Sequence, residues 1–543
     1  MRAHEAGILH ADGYGAAPQW LPTPQDVNEL LPQLWPANVE RNTDGVLAVS
    51  GLPVTDIARD FGTAAYVLDE DDFRSRARAF RDDFTAPFDA VAGADVYYAG
   101  KAFLCSAVAR WVMDEGLNLD TCSGGELAVA QRVGFPGERI ALHGNNKSVA
   151  ELRQALSYGV GRIVVDSFAE IDRVAEVAAE LGVVAPVMVR VTVGVEAHTH
   201  EFIATAHEDQ KFGFSLAGGQ ARAAIDAIVA KGDRLRLLGL HSHIGSQIFD
   251  VSGFEIAARR LVALHTEVAD VHGIAMPEMD LGGGYGIAYT SEHSPLTPGE
   301  LGTQMAALVD RELKELRDGH PDAPLPRISI EPGRAIAGPS AFTLYEIGTV
   351  KDVEVAHDAI RSYVSVDGGM SDNVRTALYG ADYSCTLAGR TSTAGPRLVR
   401  VVGRHCESGD IVVMDEYLPA DIVPGDLIAV PGTGAYCRSL SNQYNHTPRP
   451  PVIAVRDGVA RVIVRRETID DLLALDVDEP PRSRRSDDHR PADPPSRRPA
   501  RRRCRRRQRR PPADHAGRRP RPAHRSPARA RRHRGAPRRP RPV

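Results

Sequence analysis

Lysine is scarce in this chain: Lys101, Lys147, Lys211, Lys231, Lys314 and Lys351 are the only ones in a total of 66 Lys and Arg. Arginine fills nearly every basic position, yet a guanidinium stays charged at any pH a protein meets and cannot serve as an amine nucleophile. Cysteine is also sparse, with Cys105, Cys122, Cys385, Cys406, Cys437 and Cys504 forming no CxxC pair. That spacing excludes the usual zinc sites and fits reduced thiols better than a disulfide framework. No early apolar run is long enough for a signal peptide or a membrane span, and Met1 to Pro36 is a polar stretch broken by Pro18, Pro22, Pro24, Pro32 and Pro36. An irregular N-terminal arm (1–44) and a cytoplasmic location are the expectations. No GxxxxGK[ST] string occurs, which removes the P-loop NTPases from consideration.

The end of the chain lacks even more. After Pro480 there is no Leu, Ile, Phe, Tyr, Trp or Met, so residues 479–543 cannot build a core and are expected to be disordered. That tail holds 25 arginines against four aspartates, a charge of +21 that leaves −26 on the first 480 residues out of the total of −5. Two readings of it stand. One is a polyanion-binding arm working by phosphate neutralisation. The other, favoured by the abrupt compositional break, is GC-rich DNA translated out of its natural frame, so nucleic acid is not the expected partner.

What is present is a repeat. Between Asp95 and Glu331 a short apolar run, a polar or glycine turn and a helical stretch recur. The runs are Asp95–Ala99, Asn118–Thr121, Ile140–His143, Arg162–Asp166, Val187–Val193, Leu237–His243, Met279–Leu281 and Ile328–Glu331. Helical periodicity falls on Gly125–Val133, Ser148–Tyr158, Ala169–Leu181, Gly219–Ala230, Phe254–Val271 and Gly299–Arg317. Eight strands alternating with helices predict a (β/α)8 TIM-type barrel over 69–338. From Pro339 the texture changes to short alternating runs, which predict a C-terminal β-sandwich or barrel-like domain over 339–478.

Chemically capable side chains cluster at the strand ends: Lys101, Asp120, His143, Asp166, Arg190, His241, His243, Glu331 and Arg334. In a barrel those ends share the face where active sites lie. A single strand-end Asp or His is more often a satisfied turn group; eight ends in order are harder to dismiss. The loops His243-Ile244-Gly245-Ser246, Gly282-Gly283-Gly284 and Glu331-Pro332-Gly333-Arg334 follow the sixth, seventh and eighth runs and suit a phosphate. An amine, a phosphate cradle and an acid across the barrel describe a pyridoxal 5′-phosphate site, with Lys101 as the Schiff-base lysine and Glu331 as partner of the pyridine nitrogen. No metal is expected.

These strings, with Tyr98-Ala99-Gly100-Lys101-Ala102, Asp120-Thr121-Cys122-Ser123-Gly124-Gly125-Glu126, His143-Gly144-Asn145-Asn146-Lys147, Cys406-Glu407 and Gly434-Ala435-Tyr436, carry a family likeness. From about Gly45 to Leu475 the chain resembles the alanine-racemase-like, fold-type III pyridoxal phosphate decarboxylases, most closely the diaminopimelate decarboxylases of the actinobacterial kind. The resemblance implies that His243 stacks on the cofactor ring and that Ser246, Gly283, Gly284, Gly333 and Arg334 surround its phosphate. It puts Asp120 and Glu126 behind the lysine, makes Cys406 the proton donor, and gives Arg334, Arg375, Tyr379, Glu407 and Tyr436 contacts to substrate or cofactor. In that family Cys406 and Glu407 reach the neighbouring subunit's site, which implies a homodimer. The likeness also implies that residues 45–68 add strands to the C-terminal domain. Arg375 beside an acid suits a substrate with a carboxylate and an ammonium at its far end, as in meso-diaminopimelate, with L-lysine as product. The alternatives are another basic amino-acid decarboxylase or a racemase of the same fold. A racemase needs a second acid/base in place of the Cys406-Glu407 pair.

Overall fold

The computed structural model describes residues 17–194, 210–321, 324–356 and 359–477; the tail and the first sixteen residues of the arm lie outside them. Eight parallel strands close into a barrel: Ala94–Ala99, Asn118–Thr121, Ile140–Leu142, Arg162–Val165, Ala185–Thr192, Leu235–His241, Glu278–Asp280 and Arg327–Ile330. Each lies within two residues of its predicted run. Closure is made where Ile328 pairs with Ala94 and Ile163 with Val187. The fourth strand is buried at every position, because barrel strands face the interior on one side and helices on the other.

The connecting helices are written locally. Val149–Tyr158 and Pro298–Gly319 open on capping boxes, Ser148 with Glu151 and Thr297 with Glu300, the second reinforced by Pro298 at the first helical turn. Val149–Tyr158 and Phe168–Leu181 stop at Gly159 and Gly182, both left-handed. The helix Ser106–Asp114, between the first two strands, was not anticipated; it opens without a side-chain cap, although Gly116 at φ 80° follows its C-cap Glu115.

The second region is a sheet ordered Ile411–Pro419, Pro396–Val402, Ala359–Val366, Ala341–Ala356, Ala65–Asp69, Val452–Arg456, Val459–Val464. Its long strand Ala341–Ala356 serves three neighbours. The first half pairs with Ala65–Asp69 and Leu427–Pro431, the second with Ala359–Val366. The expectation for 45–68 needs correction, since only Ala65–Asp69 joins this sheet. Leu47–Val49 and Leu52–Pro53 make a separate three-stranded sheet with Val39–Arg41, and Val54–Phe61 is a helix. The reason is a helical rather than alternating period. Val54 and Ile57 are buried three residues apart, Pro53 precedes the first turn, and Gly62 at φ 71° ends it. Among the described residues no helix is long and apolar enough to cross a membrane.

Candidate active site

A cavity of about 490 Å³ opens at the C-terminal ends of the barrel strands and is roofed by the sheet region. Lys101, His243, Ser246, Gly284, Glu331, Gly333 and Arg334 line it from the barrel; Arg375, Tyr379 and Tyr436 line it from the sheet region. All ten were named from sequence.

Lys101 lies just past the first strand. Gly100 N–H donates to Asp120 O at 2.9 Å, and a Cβ at Gly100 would meet that oxygen at the same distance, so a glycine is required where the two strand ends touch. Lys101 Nζ stands 3.7 Å from Asp120 Oδ2. Burial works against the ammonium, but Asp120, Cys122 and Glu331 outweigh it and hold the amine above its ordinary value. Asp120 is fully buried, and that burial pushes its carboxyl up against the pull of Lys101. Glu126 does not reach the cavity. Its Oε2 accepts Cys122 N–H at 2.6 Å and so fixes the turn that follows Asp120.

Glu331 stands across the cavity from this turn. Its Oε1 is 3.1 Å from His241 Nε2 and 3.3 Å from His143 Nε2, and the two imidazoles meet edge to face at 5.0 Å. Burial opposes its charge, yet these imidazoles and Lys101 keep Glu331 ionised, well below the usual carboxylate range. Burial, first, drives the pKa of His143 far down, so it faces Glu331 as a neutral imidazole. His143, His241 and Glu331 are also the one group among the described residues with atoms close enough for a metal. Their nearest atoms are already within donor–acceptor distance of each other. His243 is likewise held neutral by burial and then by Lys101; its Nδ1 accepts Gly283 N–H at 3.2 Å, which leaves the proton on Nε2.

The glycines do their work by close packing. A Cβ on Gly283 would lie 2.2 Å from Glu331 O, and one on Gly284 2.5 Å from Gly245 O, so the loops after the sixth, seventh and eighth strands pack backbone against backbone. Gly284 also has φ 113°. Arg334 reaches into the resulting cradle with Nη2 donating to Ser246 Oγ at 3.0 Å and Nη1 to Tyr289 Oη at 2.5 Å. Its guanidinium also lies 4.5 Å over the Tyr436 ring.

Arg375 and Tyr379 begin and end one short helix, four residues apart, and so share a face. Arg375 Nη1 donates to Tyr383 Oη at 2.6 Å and its guanidinium lies 4.8 Å over the Tyr289 ring. Cys406 and Glu407 are placed differently. Neither lines this cavity; Cys406 is exposed and its N–H donates to Asn445 Oδ1 at 3.1 Å.

The residues fit pyridoxal phosphate. A cradle of glycines with Ser246 and Arg334 faces one side, Lys101 another, and Glu331 Oε1 is a buried acceptor with no well-formed hydrogen bond of its own. Comparison with known proteins agrees. Residues 70–338 match the family described as pyridoxal-dependent decarboxylase, pyridoxal binding domain. Diaminopimelate decarboxylase of Mycobacterium tuberculosis is 56% identical over 458 residues, 83% of this chain and 100% of that protein. This chain belongs to the diaminopimelate decarboxylase family.

Another member, from Corynebacterium efficiens, is 48% identical over 477 residues, 87% of this chain and 99% of that protein. The crystal structure of diaminopimelate decarboxylase from M. jannaschii in complex with L-lysine superposes with a TM-score of 0.75 at 29% identity, covering 82% of this chain and 99% of that one. Membership makes the chain a pyridoxal-dependent decarboxylase, with pyridoxal phosphate as cofactor. Sequence reasoning overlooked two tyrosines of this diaminopimelate decarboxylase fold, Tyr289 and Tyr383. Each sits in an irregular segment with no spacing signal, and only tertiary approach gives it a guanidinium to hold. His143 and His241 had been marked as strand-end groups but given no partner; the structure makes that partner Glu331.

Proposed function

We propose that this chain removes CO2 from meso-2,6-diaminopimelate and releases L-lysine, the last step of lysine biosynthesis. One observation carries the substrate. Arg334 and Arg375 both face the cavity, both are buried, and neither has a carboxylate partner among the described residues. Two buried, uncompensated cations favour a ligand set that brings anions, here the cofactor phosphate and the substrate's carboxylates.

When bound, the cofactor supplies the sink for the electron pair left by departing CO2. The chain's residues do the rest. Lys101 provides the amine that holds it, with Asp120 setting that amine's charge. Ser246, Gly283, Gly284, Gly333 and Arg334 would hold its phosphate, His243 would pack on its ring and Glu331 would accept from its ring nitrogen, while Tyr436 closes the cavity beside Arg334. Arg334, Arg375 and Tyr379 orient the substrate with Tyr436, so that the scissile bond is held in the productive direction.

Cys406 is the proton donor to the reacting carbon and Glu407 the acid for the distal ammonium. Because both lie outside the cavity of their own chain, we propose a homodimer in which a second copy supplies them. The working division is a barrel over 69–338 and a sheet domain over 339–478, in a protein that acts in the cytoplasm. The substrate assignment is tested by incubating purified protein and pyridoxal phosphate with meso-diaminopimelate, ornithine and arginine in parallel, reading CO2 and products. Lysine from the first is expected; turnover of either of the others without lysine formation overturns it. The shared site is tested by mixing Lys101→Ala and Cys406→Ala proteins, each nearly inactive alone. Random pairing in a C2 dimer should return activity toward roughly a quarter of wild type, and no recovery after subunit exchange rules out the sharing.

A further inference from the structure

We propose that Tyr289 is a positioning residue that sets the spacing of the two cavity guanidiniums and thereby selects a ligand carrying carboxylates at both ends. The inference rests on the diaminopimelate reading and deepens it. Tyr289 is buried on the segment after the seventh strand and touches both arginines in different ways. Its hydroxyl accepts from Arg334 Nη1 at 2.5 Å, while its ring lies 4.8 Å from the Arg375 guanidinium. The ring also meets Tyr383 edge to face at 5.0 Å, and Tyr383 in turn accepts from Arg375 Nη1 at 2.6 Å. Gly432 leaves room for this arrangement, since a Cβ there would approach the Tyr289 ring to 3.2 Å.

The chemistry of the acceptor matters. An Asp or Glu at position 289 would orient Arg334 just as well but would cancel its charge, and the cavity would lose an anion site. A phenol orients without cancelling. The ring face does the same for Arg375, its negative quadrupole easing two buried like charges that would otherwise push apart. Tyr289 therefore acts as a spacer between two cations drawn from different parts of the chain, Arg334 from the end of the barrel and Arg375 from the sheet region.

The test uses holoenzyme and three probes: meso-diaminopimelate as substrate, pimelate and 1,5-diaminopentane as competitive inhibitors. Tyr289→Phe keeps the ring and loses the hydroxyl. It should raise KM for diaminopimelate and Ki for pimelate about tenfold, the weight of one hydrogen bond to a charged group. Its kcat and the Ki of 1,5-diaminopentane should stay within about threefold, and the absorbance of the bound cofactor should be unchanged. Tyr289→Leu loses ring and hydroxyl and should shift the pimelate Ki further. Equal weakening of both inhibitors, or a fall in kcat at constant KM, overturns the proposal. If the wild-type protein fails to turn over diaminopimelate, the functional reading falls. The pimelate comparison, run by calorimetry on wild type and Tyr289→Phe, still decides the role of Tyr289.

Discussion

Among the described residues, the barrel interior and the cavity hold buried charges built on opposite plans. In the barrel interior, Arg162 pairs with Asp280, donates to Glu278 at 3.2 Å and to Ser329 at 2.9 Å, and stacks 3.7 Å over the Tyr97 ring. Ser329 and the Gly282 N–H satisfy Asp280 as well, at 2.8 and 2.7 Å. Charge there cancels within the protein. In the cavity, Arg334 and Arg375 are held just as firmly, but by phenols and a serine, and their charge is left over. Burial is the same in both places; what separates structure from function is whether the protein neutralises its own ions.

Removing one member from each cluster should break that contrast in opposite directions. Arg162→Met leaves Asp280 buried without its cation, and urea unfolding of the holoenzyme should show a loss of about 3–5 kcal/mol. KM of the folded fraction should hardly change. Arg375→Ala should do the reverse: kcat/KM on diaminopimelate falls by about 10²-fold, mainly through KM, as for one lost partner of a buried charged contact, while the urea midpoint moves little. Unchanged kinetics would remove Arg375 from substrate binding.

A third buried ion sharpens the comparison by a smaller effect. Asp372, at the foot of the segment leading to Arg375, is pushed up to about 7 by burial, against the hydrogen bonds it accepts from Tyr345 and Gly369 N–H. Unfolded, it loses its proton near the ordinary value of 3.8. The folded state therefore binds more protons between those limits. Its contribution to stability is full below the unfolded value and fades as pH rises to about 7, by up to about 1.4 kcal/mol per unit. Asp372→Asn should flatten stability over that window, read as a smaller difference between urea midpoints at pH 5 and pH 7.5. An unaltered slope would show that Asp372 is ionised throughout.

Much of the barrel was legible because its strands are apolar on both faces and bounded by glycine or polar turns, so that Ile140–Leu142 and Arg162–Val165 stand out even at three or four residues. For residues 54–61 the family likeness implied strands, whereas the spacing of Val54 and Ile57 writes a short helix. Site residues that carry their chemistry in their own type, such as Lys101 and Glu331, could be found from the chain. Tyr289 and Tyr383 could not, because a tyrosine in an irregular segment becomes an arginine's acceptor only through tertiary packing, here 45 residues from Arg334 and 8 from Arg375. Arg162 opens its strand and Arg334 follows the end of the eighth, so the two lie at opposite ends of the barrel; what the chain does not spell out is the partner, Asp280 for the first and Tyr289 with Ser246 for the second.

The strand Ala65–Asp69 has a consequence in time. It is made early, it is buried at all five positions, and its two neighbours are Ala341–Ala356 and Val452–Arg456. At roughly 5–20 residues per second of synthesis, this apolar strand waits tens of seconds for its second partner. Tyr436, whose N–H donates to Ala102 O at 2.9 Å beside Lys101, arrives at nearly the same late moment. A ribosome-bound chain therefore carries an unpaired sheet edge through most of its synthesis, and the cofactor's complete seat exists only once almost the whole described fold has emerged.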